Sequence, residues 1–162
     1  MMTLNSDDEI MFSNYISLGY FCSIAQDLER MGLRSTSSPF DWCISNFEGV
    51  IDAINRNFEN YLDESNLFQS DTVPEHYFDK KYRIWFYHDF DKYHPLKKQL
   101  PEVQKKYGKR IRRFYEAIKS PTLFIRYISN EIESSEYGKS EELVFIEKNY
   151  KMIETLLQSY ND

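Results

Sequence analysis

Apolar residues recur along this chain in two rhythms, and each predicts its own kind of element. Phe47, Val50, Ile51, Ile54 and Phe58 fall three and four apart, the spacing of one helix face. Ser45-Asn46-Phe47-Glu48 precedes them as a capping-box pattern, in which serine and glutamate satisfy each other's orphan amides. A helix over about 46–57 follows. Leu100, Val103, Tyr107, Ile111, Phe114 and Ile118 mark a second, longer helix, with Pro101 in its first turn. Leu143, Ile146, Tyr150, Ile153 and Leu157 mark a third, over about 140–160. A shorter stripe, Ile24, Ala25, Leu28 and Met31, begins just after Cys22 and stops at Gly32, a residue suited to a left-handed helix end.

The other rhythm is short, dense and without breakers. Tyr15, Ile16 and Leu18 read as a buried strand running into a turn at Gly19. Tyr82 to Phe90 is packed with aromatics and reads as a buried strand, with His88, Asp89 and Asp91 at its C-terminal end. Thr122 to Tyr127, following Pro121, is a third strand. Between these, 59–68 is expected to hold a short helical turn, 70–81 (with Pro74) to be a surface loop, and 130–139 to be polar and acidic.

The order is strand, helix, helix, strand, helix, strand, helix. Such alternation favours an α/β fold, a small layered domain with a central, largely parallel sheet flanked by helices. Residues 1–12 are expected to form a flexible leader and 13–162 one domain. A final helix stands where a further strand would be expected, so the domain is read as C-terminally truncated or as having its sheet edge covered by a partner.

Composition narrows the function classes. A length of 162 residues suffices for a real core, and thirteen Tyr and twelve Phe supply much of it. A net charge of -6 gives no overall attraction to nucleic acid. Lys105, Lys106, Lys109, Arg110, Arg112 and Arg113 are the one basic concentration, and without a phosphate loop they read as a solvated helix face. No apolar run reaches the roughly eighteen residues of a membrane span. The acidic, polar N-terminus is unlike a signal peptide, and two cysteines fit free thiols in a reducing compartment, so a cytoplasmic location is expected. Cys22, Cys43, His88 and the nearby aspartates lack paired metal-ligand spacing; neither metal nor other cofactor is expected. The oligomeric state is left open.

Candidate chemistry centres on Tyr15 to Trp42. Cys22 lies at the start of a helix of about ten residues, where unpaired N–H groups carry partial positive charge. A thiol so placed can have its pKa drawn from about 8.5 toward roughly 3.5–7.5, which makes a usable nucleophile. The bland alternative is a packed structural thiol, since free cysteine is usually buried and inert. Cys43, directly after Trp42 in an apolar context, reads as core. Arg126 either points into a site to pair with a carboxylate or sits at the sheet edge. His88 taken alone reads as a strand-end residue bonded to nearby backbone rather than as a base, and His76 and His94 lie in loops.

Several segments together carry a resemblance. They are Ser17-Leu18-Gly19-Tyr20-Phe21-Cys22, Met31-Gly32-Leu33-Arg34 and Ser38-Pro39-Phe40-Asp41-Trp42. Phe58-Glu59-Asn60-Tyr61-Leu62, His88-Asp89-Phe90, 109–114 and Leu123-Phe124-Ile125-Arg126 agree with them. From about Tyr15 to Tyr127 the chain resembles a bacterial and viral family described as papain-like cysteine peptidases, largely of unknown function. The resemblance implies Cys22 as nucleophile, His88 as base, and Asp41 as the group that orients the histidine or shapes the pocket. It also implies an alternative α+β architecture, in which a cysteine-bearing helix packs on a mainly antiparallel sheet.

The expected activity is that of a thiol-dependent hydrolase or acyltransferase acting on a peptide, ester or thioester. Cys22 attacks the carbonyl carbon, His88 moves the proton, and turn amides around Phe21 to Ser23 hold the oxyanion. Gly19, Phe21, Ser23, Trp42, Asp89 and Arg126 are the residues expected around the substrate. The rivals are a degenerate, non-catalytic interaction domain and an ester hydrolase of layered α/β type with its nucleophile in the Gly-x-x-Cys turn. No nucleic-acid or membrane partner is expected.

Overall fold

The computed structural model describes residues 11–128 and 140–161. Along the chain run β1 (Asn14–Ser17), α1 (Ser23–Arg30), β2 (Cys43–Ser45), α2 (Phe47–Asn55), a 3₁₀ turn (Glu64–Asn66), β3 (Leu67–Gln69), β4 (Tyr77–Asp79), β5 (Ile84–Phe86), α3 (Leu96–Ala117), β6 (Thr122–Ile125) and α4 (Glu141–Gln158). The expected leader lies mostly, and the expected polar segment 130–139 wholly, outside the described residues.

The strands make two sheets. β1 and β6 form a parallel pair, while β2, β5, β4 and β3 form a four-stranded sheet in that order, antiparallel throughout. The expected largely parallel central sheet is therefore corrected: among the described residues, parallel pairing is confined to β1 and β6. The structure mixes helix and strand as α/β or α+β, and its larger sheet is antiparallel. The reason lies in the connections. Only four residues, Lys80 to Arg83, join β4 to β5, which suffices for a hairpin but not for a parallel crossover. Asp79 builds that turn: its buried carboxylate accepts the amides of Lys81 (2.9 Å) and Tyr82 (3.3 Å) on one oxygen and of Leu62 (3.1 Å) on the other.

This hairpin also replaces the expected surface loop over 70–81 by a strand in its last third, with Tyr77 and Asp79 buried. The expected strand over 82–90 shortens to Ile84–Phe86, because Tyr82 and Arg83 (φ +54°) belong to the turn. α2 packs on the turn closely enough that a Cβ at Gly49 would lie 1.8 Å from the Tyr82 carbonyl oxygen.

The long helices follow the apolar stripes. Leu100, Val103, Tyr107, Phe114 and Ile118 of the α3 face are buried, though α3 starts at Leu96, so Pro101 falls in its second turn, on the exposed side. α2 is capped by Asn46, whose side chain accepts the Gly49 amide at 3.2 Å. The expected Ser45 cap is corrected, because Ser45 is the last residue of β2. In α4 Ser140 caps the Leu143 amide and Ile153 is buried, but Tyr150 of the expected stripe is exposed. An aromatic cluster links α3 to the antiparallel sheet: Phe86 packs edge-on to Tyr107 at 5.4 Å and Phe40 stacks on Phe58 at 5.5 Å.

Candidate active site

Cys22 occupies the N-cap position of α1, with its carbonyl accepting the Gln26 amide at 3.2 Å. No side chain caps this helix, so its first amides keep their partial positive charge at the end where Cys22 sits. The preceding turn is tightly specified. Gly19 (φ +82°) and Tyr20 (φ +79°) are both left-handed, and a Cβ on Gly19 would lie 2.5 Å from the Ser45 hydroxyl. That hydroxyl accepts the Tyr20 amide at 3.0 Å, and the Ser45 amide donates to the Tyr20 carbonyl at 3.2 Å. The end of β2 thus clasps the turn that delivers Cys22.

A buried arginine secures the clasp. The Arg126 guanidinium donates to the Leu18 carbonyl (2.9 Å), the Ser45 hydroxyl (2.8 Å) and the Ser45 carbonyl (2.7 Å). It also pairs with Glu142 of α4, whose carboxylate in turn accepts the first amide of α2, that of Phe47, at 2.9 Å. Burial pulls the Arg126 pKa down, while Glu142 holds it up. The two alternatives left open by sequence resolve here: Arg126 does pair with a carboxylate, but as an internal tie between both sheets and α4.

Cys22 is half-buried and lines a cavity of about 280 Å³. Its other walls are Phe21, Trp42, Cys43, Ile44, His76, Tyr87 and His88. The structure therefore brings Cys22 and His88 together, along with Phe21 and Trp42. His88 lies two residues beyond β5 and is exposed; among the described residues its imidazole has no hydrogen-bond partner. His76, placed by sequence in an ordinary loop, joins the same cavity from the residue before β4, packed edge-on to Tyr87 at 4.1 Å. No local signal marked it. It reaches the site only because β4 pairs with β5, which sets 76 beside 87.

The remaining expected residues lie elsewhere. Asp41 is buried, and one of its oxygens accepts from Arg34 Nε (3.1 Å) and Nη2 (3.0 Å) and from the Ser38 amide (2.8 Å). Burial raises its carboxyl against the downward pull of these donors. Arg34 also lies over the Trp42 ring at 5.4 Å, so this network fixes the loop that carries Trp42. Asp89 turns toward α3, where it accepts from Lys106 Nζ and from the Tyr107 hydroxyl (2.9 Å). Ser23 opens α1, and neither it, Gly19, Asp89 nor Arg126 lines the cavity. Cys43 is buried, donates its thiol to the Phe40 carbonyl at 3.5 Å, and has its pKa pushed far up by burial. Among the described residues, no group of three His, Cys, Asp or Glu side chains could hold a metal ion, and no helix is long and apolar enough to cross a membrane.

The cavity thus sets a cysteine at a helix mouth beside two histidines that flank β4 and β5 of the antiparallel sheet. Comparison with known families agrees: residues 13–155 match the family described as "putative papain-like cysteine peptidase", and the chain belongs to it. A similar protein, 25% identical, is an uncharacterized protein of Acanthamoeba polyphaga mimivirus; the match covers 80% of this chain and 68% of the viral one. No solved structure matches.

Proposed function

We propose that this protein is a thiol-dependent hydrolase or acyltransferase with Cys22 as nucleophile and His88 as general base. The observation that carries this reading is the shared cavity: the N-cap thiol of α1 and the imidazole beyond β5 face one space, with apolar walls. In the reaction, Cys22 Sγ bonds to the carbonyl carbon of the substrate while His88 takes the thiol proton. The amides of the α1 mouth, from Phe21 to Ser23, take the oxyanion in this reading. His88 then returns the proton to the leaving group. Water, deprotonated by the same imidazole, or an acceptor nucleophile, completes the turnover.

Asp41 serves this site by shaping it: its bonds to Arg34 and Ser38 hold Trp42 in the cavity wall. The antiparallel sheet carrying His88 supports the papain-like arrangement over the layered ester-hydrolase alternative. Two unpaired thiols suit a reducing compartment, and a cytoplasmic location is part of the proposal.

One observation favours a second reading, a non-catalytic relative: no carboxylate bonds to His88 among the described residues. Iodoacetamide labelling of the native protein, with the adduct located by peptide mass, separates the two. The catalytic reading expects fast labelling of Cys22 that slows about 10²-fold or more in His88→Asn. Equal rates in the two proteins, at the level of a free thiol, would leave the non-catalytic reading standing.

A further inference from the structure

The antiparallel sheet turns an apolar face outward. Side chains directly opposite each other in a sheet share a face, and the register aligns Ile44 with Trp85, Trp85 with Phe78, and Phe78 with Phe68. None of the four is buried, and Phe68 is 50% exposed. Their neighbours along the strands, such as Cys43, Ile84, Phe86, Tyr77 and Asp79, are buried on the core side. The water-facing side of an antiparallel sheet is ordinarily polar. A contiguous apolar row that stays in part open to water is a feature of binding surfaces. At about 4.8 Å between strands the row spans roughly 14 Å.

One end of this row is the Cys22 cavity, because Ile44 belongs to both. Phe21, Trp42 and Tyr87 continue the apolar wall up to the thiol, and Tyr87 lies 6.0 Å from Trp85. The central strands β5 and β4 are hydrogen-bonded on both sides, so the rings of Trp85 and Phe78 cover backbone that is already paired, while Asn46, Arg83 and Glu141 flank Ile44, Trp85 and Phe78 along one side of the groove. A peptide laid on the rings themselves would leave amides without backbone partners there, at a cost an aliphatic chain does not incur.

The geometry points to an apolar acyl group as the moiety Cys22 accepts, its chain running from the thiol past Ile44 onto Trp85 and Phe78. This inference rests on Cys22 being the nucleophile. The donor is an activated acyl ester or thioester. Cys22 Sγ forms a bond to the acyl carbon, the carbon–oxygen or carbon–sulfur bond of the donor breaks, and the thiol proton passes through His88 to the departing alkoxide or thiolate. Water then cleaves the S-acyl bond to release the carboxylic acid and restore the thiol.

The test uses p-nitrophenyl acetate, butyrate, hexanoate and octanoate, each below its aggregation limit, with a blocked triglycine p-nitrophenyl ester as a polar control of similar length to octanoate. Burst release of p-nitrophenol gives the acylation rate, and intact mass with peptide mapping locates the adduct. The expected result is acylation of Cys22 that accelerates about two- to fourfold per added methylene, with the triglycine ester slower than octanoate. Trp85→Ser, one strand beyond Ile44, should flatten the gain between hexanoate and octanoate more than the gain between acetate and butyrate; a thermal melt confirms that the variant is folded. Cys22 acylated at rates independent of chain length, or fastest by the triglycine ester, overturns the acyl-chain assignment and leaves the nucleophile intact. Failure of every ester to acylate Cys22 removes the nucleophile, and the acyl-chain assignment with it.

Discussion

Ser45 and Tyr20 hold each other by two reciprocal hydrogen bonds, amide to carbonyl at 3.2 Å and amide to hydroxyl at 3.0 Å. Through this clasp the end of β2 fixes the left-handed turn from which Cys22 emerges. The position of the thiol is thus set by a strand more than twenty residues away in sequence, and perturbing the clasp should reach the site.

Gly19→Ala tests that connection from the turn side. A Cβ there meets the Ser45 hydroxyl at 2.5 Å on a backbone with φ +82°. We expect a loss of about 1–2 kcal/mol from the left-handed conformation alone, together with slower alkylation of Cys22. Urea denaturation and the iodoacetamide rate measure the two effects; unchanged values for both would break the link between clasp and site.

Removing the arginine tie should be more severe. Arg126 and Glu142 are largely buried, with side-chain exposures of 6% and 15%. Arg126→Ala leaves the Glu142 carboxylate buried and the Ser45 and Leu18 carbonyls short of a donor, for an expected loss of about 3–5 kcal/mol. Arg126→Lys should recover little of it, because one ammonium cannot reproduce the planar fork that reaches Leu18, Ser45 and Glu142 together. Urea midpoints of the two variants check this.

Asp79→Asn should show how the β4–β5 hairpin is held. The aspartate accepts three backbone amides on its two oxygens. An amide keeps one acceptor oxygen and turns an N–H₂ toward a donor, so at least one buried N–H loses its partner. The expected cost is about 1–3 kcal/mol, measurable by urea denaturation, with Asp79→Ala costing at least as much.

The buried thiol gives a pH dependence of defined sign. Burial pushes the Cys43 pKa far above its ordinary value, so the folded protein keeps that proton where the unfolded chain releases it. The contribution of this group is therefore constant below about pH 8.5, the unfolded thiol's value, and is lost as pH rises above it, with a slope approaching about 1.4 kcal/mol per pH unit. Tyr61 and Tyr107, raised in the same way by burial, add to the fall above about pH 10. Urea unfolding at pH 7.5 and 9.5 should show the loss, and Cys43→Ala should remove most of the difference between those two values.

The elements legible from sequence were those with local causes. The stripes of α2, α3 and α4 span several turns, so their period is unambiguous; α2 and α3 bury the side the stripe predicted, while α4 buries Ile153 alone of its stripe. The mouth of α1 at Cys22 was equally readable, because Gly19 and Gly32 bracket a short stripe and both adopt positive φ.

Of the three-residue strands, β5 was legible within the aromatic run from Tyr82, but β2, β3 and β4 were not. β2 and β4 are too short to establish a period of two, and β4 lies in a stretch whose polar residues read as loop. Asp79 looked like surface and proved fully buried, because its partners are amides of a turn that exists only once the hairpin forms. Local spacing by itself determined where the helices lie and that a cysteine opens one of them. Only the tertiary structure decided that the larger sheet is antiparallel, that His76 joins His88 at the thiol, and that Asp41, Asp89 and Arg126 are internal ties. Each of those outcomes depends on pairing between distant segments, which no local spacing of residue types encodes.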